Sequence, residues 1–225
     1  MRFINTTSLK FHELESGYSI LSHRWTYGDE EIVYVDILST DPAVKHKDGY
    51  AKFAGACSLA KSLGFDLLWI DTSCINKVDS VELGEAIRSM YRWDSMAKTC
   101  IAYLEDVTDS AQMKDSEWFD RGWTLQELIA PGTVLFYGRD WDTLGDKTSL
   151  STSLGDITGI PGEVLQNKKP PQAYSIAQRM SWAAKRSTKR PEDWAYSLMG
   201  LFDVNMPMIY SEGKKPLLDS KRKLL

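Results

Sequence analysis

The stretch WFDRGWTLQELIAPGTVLFYG, Trp118 to Gly138, decides how this chain is read. Its first part has helical spacing, with Trp123, Ile129 and Ala130 able to face a core and Leu125 and Leu128 beside them. Glu127 stands four residues after Trp123, a separation that brings side chains together on a helix surface. Pro131-Gly132 stops the helix, and TVLFY reads as a buried strand. A carboxylate beside a tryptophan and above a sheet is a candidate catalytic acid. A glutamate on a helix is more commonly just a solvated charge.

Upstream, YSILSHRW (18–25) is an apolar strand with a polar, basic end. Gly49 to Leu63 sets Tyr50, Phe53, Ala54, Cys57 and Ala60 on one helical face, and Gly64 is placed to end it. FDLLWIDTSCIN (65–76) is too short to span a membrane and has the continuous apolarity of a strand buried on both faces, with Asp71 at its end. A helix over Glu82 to Lys98 has Leu83, Ala86, Ile87, Met90 and Tyr91 inward, and CIAYLEDV (100–107) is the next strand. Strands are expected near 19–23, 67–71, 100–104 and 133–137, with an extra strand over Arg2 to Ile4 at an edge. The alternation implies an open, mainly parallel α/β sheet with helices on both faces. Ligands of such sheets bind beyond the carboxyl ends of the strands. Ser22, His23, Arg24, Trp25, Asp71 and Glu127 are therefore expected around one crevice. Polar strand ends are also simply where chains meet water.

From Ser149 to Tyr174 the pattern weakens to a connection with short helices. SIAQRMSWAAKR then reads as a helix with Ile176, Ala177, Met180 and Ala183 inward. A last helix begins at Pro191 and is continued by Trp194, Leu198 and Met199. The Lys/Arg-rich SEGKKPLLDSKRKLL reads as a solvated helix start. The division expected is one domain over 1–225, an α/β core over 1–148 and a helical extension over 149–225.

No GxGxxG or GxxxxGK[ST] loop occurs, which argues against a Rossmann or P-loop nucleotide site. Three histidines and three scattered cysteines, without CxxC or HExxH spacing, predict no metal site. Cys74 with His23 is a conceivable thiol and base, but cysteines are usually buried and inert. A net charge of −4 gives no general attraction to nucleic acid or an anionic membrane. An odd, low cysteine count and the lack of a signal peptide or apolar span point to a cytoplasmic protein.

The blocks YSILSHRW, LLWIDTSCIN, ELGEAIRSMYRW, RGWTLQELIAP, SIAQRMSWAAKR and AYSLMGLFDVNMPMIYSEG resemble those of fungal HET (heterokaryon incompatibility) domains over nearly the whole chain. The resemblance is greatest to HET domains fused to nucleotide-binding and repeat modules. More distantly, the chain is similar to TIR domains, which have a flavodoxin-like fold. YSILSHRW resembles their opening strand, ELGEAIRSM their L..AI..S helix, and RGWTLQEL the plant segment SRWCLDEL. Thr124 and Gln126 stand where that segment has Cys and Asp, and HRWTYGD stands in place of FRGED.

The resemblance implies a cell-death effector that cleaves the nicotinamide–ribose bond of NAD. NAD is then a substrate, no cofactor is needed, and Glu127 occupies the position of the catalytic glutamate. Arg24 would pair with the diphosphate, Trp25 or Trp123 would stack on a ring, and self-association would activate the domain. The other reading is a non-catalytic TIR-like module acting by homotypic contact.

Overall fold

In the computed structural model, residues 1–13, 17–26 and 28–210 are described. The basic C-terminal stretch from 211 onward therefore lies outside the described residues. The four apolar runs form the centre of the sheet as β3 (Ser19–His23), β4 (Leu67–Ile70), β5 (Thr99–Tyr103) and β6 (Val134–Tyr137). Each pairs in parallel with its neighbour, in the order β4-β3-β5-β6. Every residue of β3, β4 and β5 is buried, as the unbroken apolarity requires of strands covered on both faces.

Three strands that the sequence marks weakly or not at all add antiparallel pairs, so among the described residues the sheet is seven-stranded and mixed. β1 (Phe3–Asn5) lies inside the edge, between β4 and β2 (Phe11–His12), and not at the edge itself. β7 (Thr143–Asp146) closes the far side against β6. These two outer strands elude the apolar criterion because β2 has two half-buried residues and β7 has no buried residue.

α1 (Tyr34–Leu38) and α2 (Gly49–Ser62) connect β3 to β4. α2 ends where Gly64 adopts φ +86°, a conformation that favours glycine. α3 (Asp71–Cys74) and α4 (Ser80–Met96) lead from β4 to β5, and α5 (Thr124–Ile129) stands between β5 and β6. The chain steps one way from β3 to β4 and the other way from β4 to β5. Right-handed crossovers therefore put α2 on one face and α4 and α5 on the other. The direction reverses between β3 and β5, which is the switch point where such sheets bind ligands.

The 118–130 window is not one helix. A 3₁₀ turn (Glu117–Asp120) and α5 are separated at Arg121–Trp123, because Arg121 forms a parallel bridge with Ser187. Gly122 donates to the Ser187 carbonyl at 2.8 Å. A Cβ there would lie 2.5 Å from the Thr188 methyl, so only glycine permits this approach.

Beyond β7 come α6 (Ser151–Thr158), α7 (Gly162–Leu165), α8 (Ile176–Ala183), α9 (Pro191–Tyr196) and α10 (Met199–Phe202). The expected orientation of α8 is corrected in part: Ala183 is buried and Met180 half-buried as expected, but Ile176 and Ala177 are exposed, and Arg179 and Trp182 are buried in their place. The Arg179 guanidinium lies over Phe202 and donates to the Leu201 carbonyl at 2.7 Å, which turns that side inward. The helix beginning at Pro191 also ends sooner than expected, at Tyr196, with Met199 in the separate α10. Trp182, Leu198, Leu201 and Phe202 share one core with the sheet.

Candidate functional site

Local chemistry sets the carboxyl end of β3. Ser22 and His23 are its last residues and both are buried. The loop that follows is held by a buried ion pair absent from the sequence reading. Lys52 of α2 contacts Glu31 at 2.8 Å and also donates to the Arg24 carbonyl at 2.8 Å and the Thr26 hydroxyl at 3.0 Å. Glu31 in turn accepts the Thr26 amide at 2.6 Å. Burial opposes ionisation of Glu31, but His23 and Lys52 hold its carboxyl below the usual range. Trp25 is thereby presented at a fixed place.

Asp71, the first residue of α3, gathers three partners. His23 Nε2 lies 3.3 Å from Oδ1, while the Trp25 indole N–H reaches Oδ2 at 3.2 Å and Lys77 Nζ does so at 2.9 Å. Burial would raise this carboxyl, but Lys77 and His23 overcome it and hold it well below the carboxylate range. Lys77 Nζ also sits 3.7 Å from the Trp25 ring centroid, a cation–π contact.

Glu127, half-buried on α5, accepts the Ser22 hydroxyl hydrogen, and Ser22 Oγ accepts the buried Trp118 indole N–H at 2.9 Å. The Glu127 carboxyl is pushed up to about 7: burial raises it, Ser22 opposes, and the negative charge of Asp71 adds. Two acids therefore face one crevice with their affinities for protons driven apart, the pattern that separates acid–base roles.

A cavity of about 340 Å³ holds His23, Trp25, Asp71, Trp123 and Glu127, walled by Ile87 and Met90 of α4 and by Arg190 and Asp193. Ser22 reaches it through Glu127. Arg24 does not line it and faces a neighbouring cavity of about 410 Å³, where it pairs with Glu117. The expectation of one crevice is corrected to this extent: the loop turns after His23, so Arg24 and Trp25 part, with Trp25 lining both cavities. Trp123 also lines both, and its indole donates to Asp193.

Asp94 had a legible signal that sequence reasoning missed. It follows Leu83, Ile87 and Met90 at helical spacing on the inner stripe of α4. It is fully buried, and neither carboxylate oxygen has a hydrogen-bond partner among the described residues. Burial raises its carboxyl well above the ordinary range, and the charges of Glu127 and Asp71 add to this. Arg121, Lys77, Lys189 and Arg190 also line the Glu127 cavity, with only Arg121 inside the deciding motif. Cys74 is buried and its thiol is pushed up to about 12, so the thiol–base reading is set aside. Among the described residues, no cluster of three or more His, Cys, Asp or Glu is arranged to hold a metal ion, and no helix is long and apolar enough to cross a membrane.

Fold and site thus define an α/β domain with an acid-bearing crevice at the switch point of a mixed sheet. Residues 18–115 match the family of heterokaryon incompatibility proteins (HET). The chain is 43% identical over 225 residues to vegetative incompatibility protein HET-E-1 of Podospora anserina, covering 93% of this chain and 16% of that protein. It spans about a sixth of that relative's length. Together these findings support a fungal heterokaryon incompatibility domain in this chain. The family match includes Ser22 to Asp71 and ends before Trp123 and Glu127. No solved structure matches the chain.

Proposed function

We propose that this chain is one HET domain, with an α/β part to about residue 148 and a helical extension, that acts in a fungal incompatibility or cell-death response by cleaving NAD. The observation carrying this reading is Glu127: one carboxylate in a walled cavity, held by a hydroxyl and titrating near neutrality. The likeness of RGWTLQEL to the TIR segment names the reaction. In it the bond between ribose C1′ and the nicotinamide nitrogen breaks, and its electron pair neutralises the pyridinium. The leaving group needs no proton, so one acid suffices. The Glu127 carboxylate stabilises the oxocarbenium-like ribosyl centre. Water adds to C1′ and loses a proton, giving nicotinamide and ADP-ribose. Asp71 orients Trp25 and His23 around this centre, and Trp123 walls it.

The protein is cytoplasmic in this reading and self-associates to become active. A fused or partner nucleotide-binding and repeat module supplies the trigger. The test is nicotinamide release from NAD by the purified chain over a range of protein concentrations, with Glu127→Gln alongside. Release that rises more steeply than linearly and disappears in the variant supports the reading. A folded chain that is silent even when clustered, yet still triggers death in a host, is a non-catalytic homotypic module instead.

A further inference from the structure

The cations of the two cavities are unevenly satisfied. Lys77 is paired with Asp71 and Arg24 with Glu117. Arg121 and Lys189 line both cavities, and neither is in an ion pair among the described residues. Both lie against the Trp25 ring, with Arg121 Cζ 5.7 Å and Lys189 Nζ 5.4 Å from its centroid. The Nε of Arg121 is buried and has no hydrogen-bond partner. Positive charge outside any ion pair among the described residues is therefore concentrated at the wall shared by the two cavities, where Arg121 also acts at longer range on Glu127. Of the carboxylates there, Asp193 is pushed toward its neutral form by burial and is bonded to Tyr210 at 3.0 Å. Cavities of about 340 and 410 Å³ are each at the small end for a ligand site, the size of half a dinucleotide.

We propose that Arg121 and Lys189, set around Trp25, form a diphosphate cradle, and that the ligand is a dinucleotide spanning both cavities. This rests on the NAD-cleaving reading and adds to it the residues that hold the diphosphate and the two-cavity placement of the ligand. The reactive ribose lies in the Glu127 cavity and the second nucleoside beyond Trp25. The exposed Asp120 carboxylate is there as an acceptor for its ribose hydroxyls. A terminal phosphate carries nearly the same charge at neutral pH, so the discrimination is geometric: two linked phosphates reach the guanidinium and the ammonium at once, which one phosphate does not. Arg24, already paired, contributes less than Lys189.

The test uses the Glu127→Gln chain, which binds without turnover, with NAD and nicotinamide mononucleotide as calorimetric probes. NAD is expected to bind about tenfold more tightly, the equivalent of one added charge-assisted contact. Lys189→Glu, a change at an exposed residue, should remove that advantage, weaken the mononucleotide by less, and leave the melting temperature unchanged. Equal affinity for the two probes, insensitivity of NAD binding to Lys189→Glu, or no NAD binding overturns the cradle. The chemistry fails separately: if NAD binding depends on Lys189 but the unmodified chain releases no nicotinamide, the cradle stands and cleavage does not. If the unmodified chain cleaves both probes with equal kcat/KM, cleavage stands and the cradle does not.

Discussion

Ser22→Ala removes one hydroxyl that serves two groups. In the native chain it accepts the Trp118 indole N–H at 2.9 Å and donates to the Glu127 carboxylate. A hydrogen bond to a charged group contributes about 1.5–3 kcal/mol, and one pKa unit corresponds to about 1.4 kcal/mol. Glu127, already pushed up to about 7, should therefore rise by roughly 1–2 units. Its ionised fraction at neutral pH then falls from about half to a tenth or less.

The same substitution leaves the Trp118 N–H buried without a partner, at a cost of about 1–3 kcal/mol, or roughly 2–12 °C of Tm for a domain of this size. The two effects have different pH signatures. A carboxyl whose native pKa is above its unfolded one binds its proton more tightly when folded. Stability is present at low pH and falls as pH rises toward the native value. Ser22→Ala extends this window upward, so its deficit should be larger at pH 8.5 than at pH 5, whereas the Trp118 part is constant. The assay is carbon-13 NMR titration of labelled glutamate carboxyls together with thermal melts at both pH values. A Glu127 midpoint that does not move while Tm falls equally at both would refute the argument, leaving Ser22 as a partner of Trp118 alone.

Glu127→Gln should keep the fold and reduce NAD cleavage at least about a hundredfold, the loss of one well-placed charge, while Glu85→Gln, at an exposed position of α4, leaves the rate unchanged. Cleavage by the unmodified chain should rise with pH through about 7 as Glu127 ionises, and Asp71→Asn should move that midpoint to lower pH because it removes a negative charge; an unmoved midpoint places the titration elsewhere. Asp94→Asn should stabilise the chain by about 1–3 kcal/mol above pH 6 and little at pH 4, since the raised native pKa means that stability is lost as pH climbs; a chain destabilised at pH 8 reveals an unrecognised partner of the carboxylate. Lys52→Ala leaves Glu31 buried and alone and should cost about 3–5 kcal/mol, whereas Arg24→Ala breaks a pair with exposed Glu117 and should cost under about 1 kcal/mol, both measured by urea unfolding.

The four central strands and the helices between them were legible because burial on both faces demands unbroken apolar runs and helix faces demand the 3.6 period. Phe3–Asn5 could be seen as a strand but not as one flanked on both sides, since nothing local in three residues states which edges are paired. β7 was invisible because its residues are half-exposed and carry no alternation. Glu127 was singled out by its tryptophan neighbour and its motif, yet its proton affinity depends on Ser22, 105 residues away, and on Asp71. Arg121, Lys189 and Arg190 face the crevice because the 187–190 segment docks on Gly122, a pairing between distant stretches that no local pattern encodes. Sequence alone thus determined the four central strands and singled out one acid on the helix before the last of them. Tertiary structure decided which charges meet there, because electrostatic interactions depend on distance through space and on burial, and neither is a function of position along the chain.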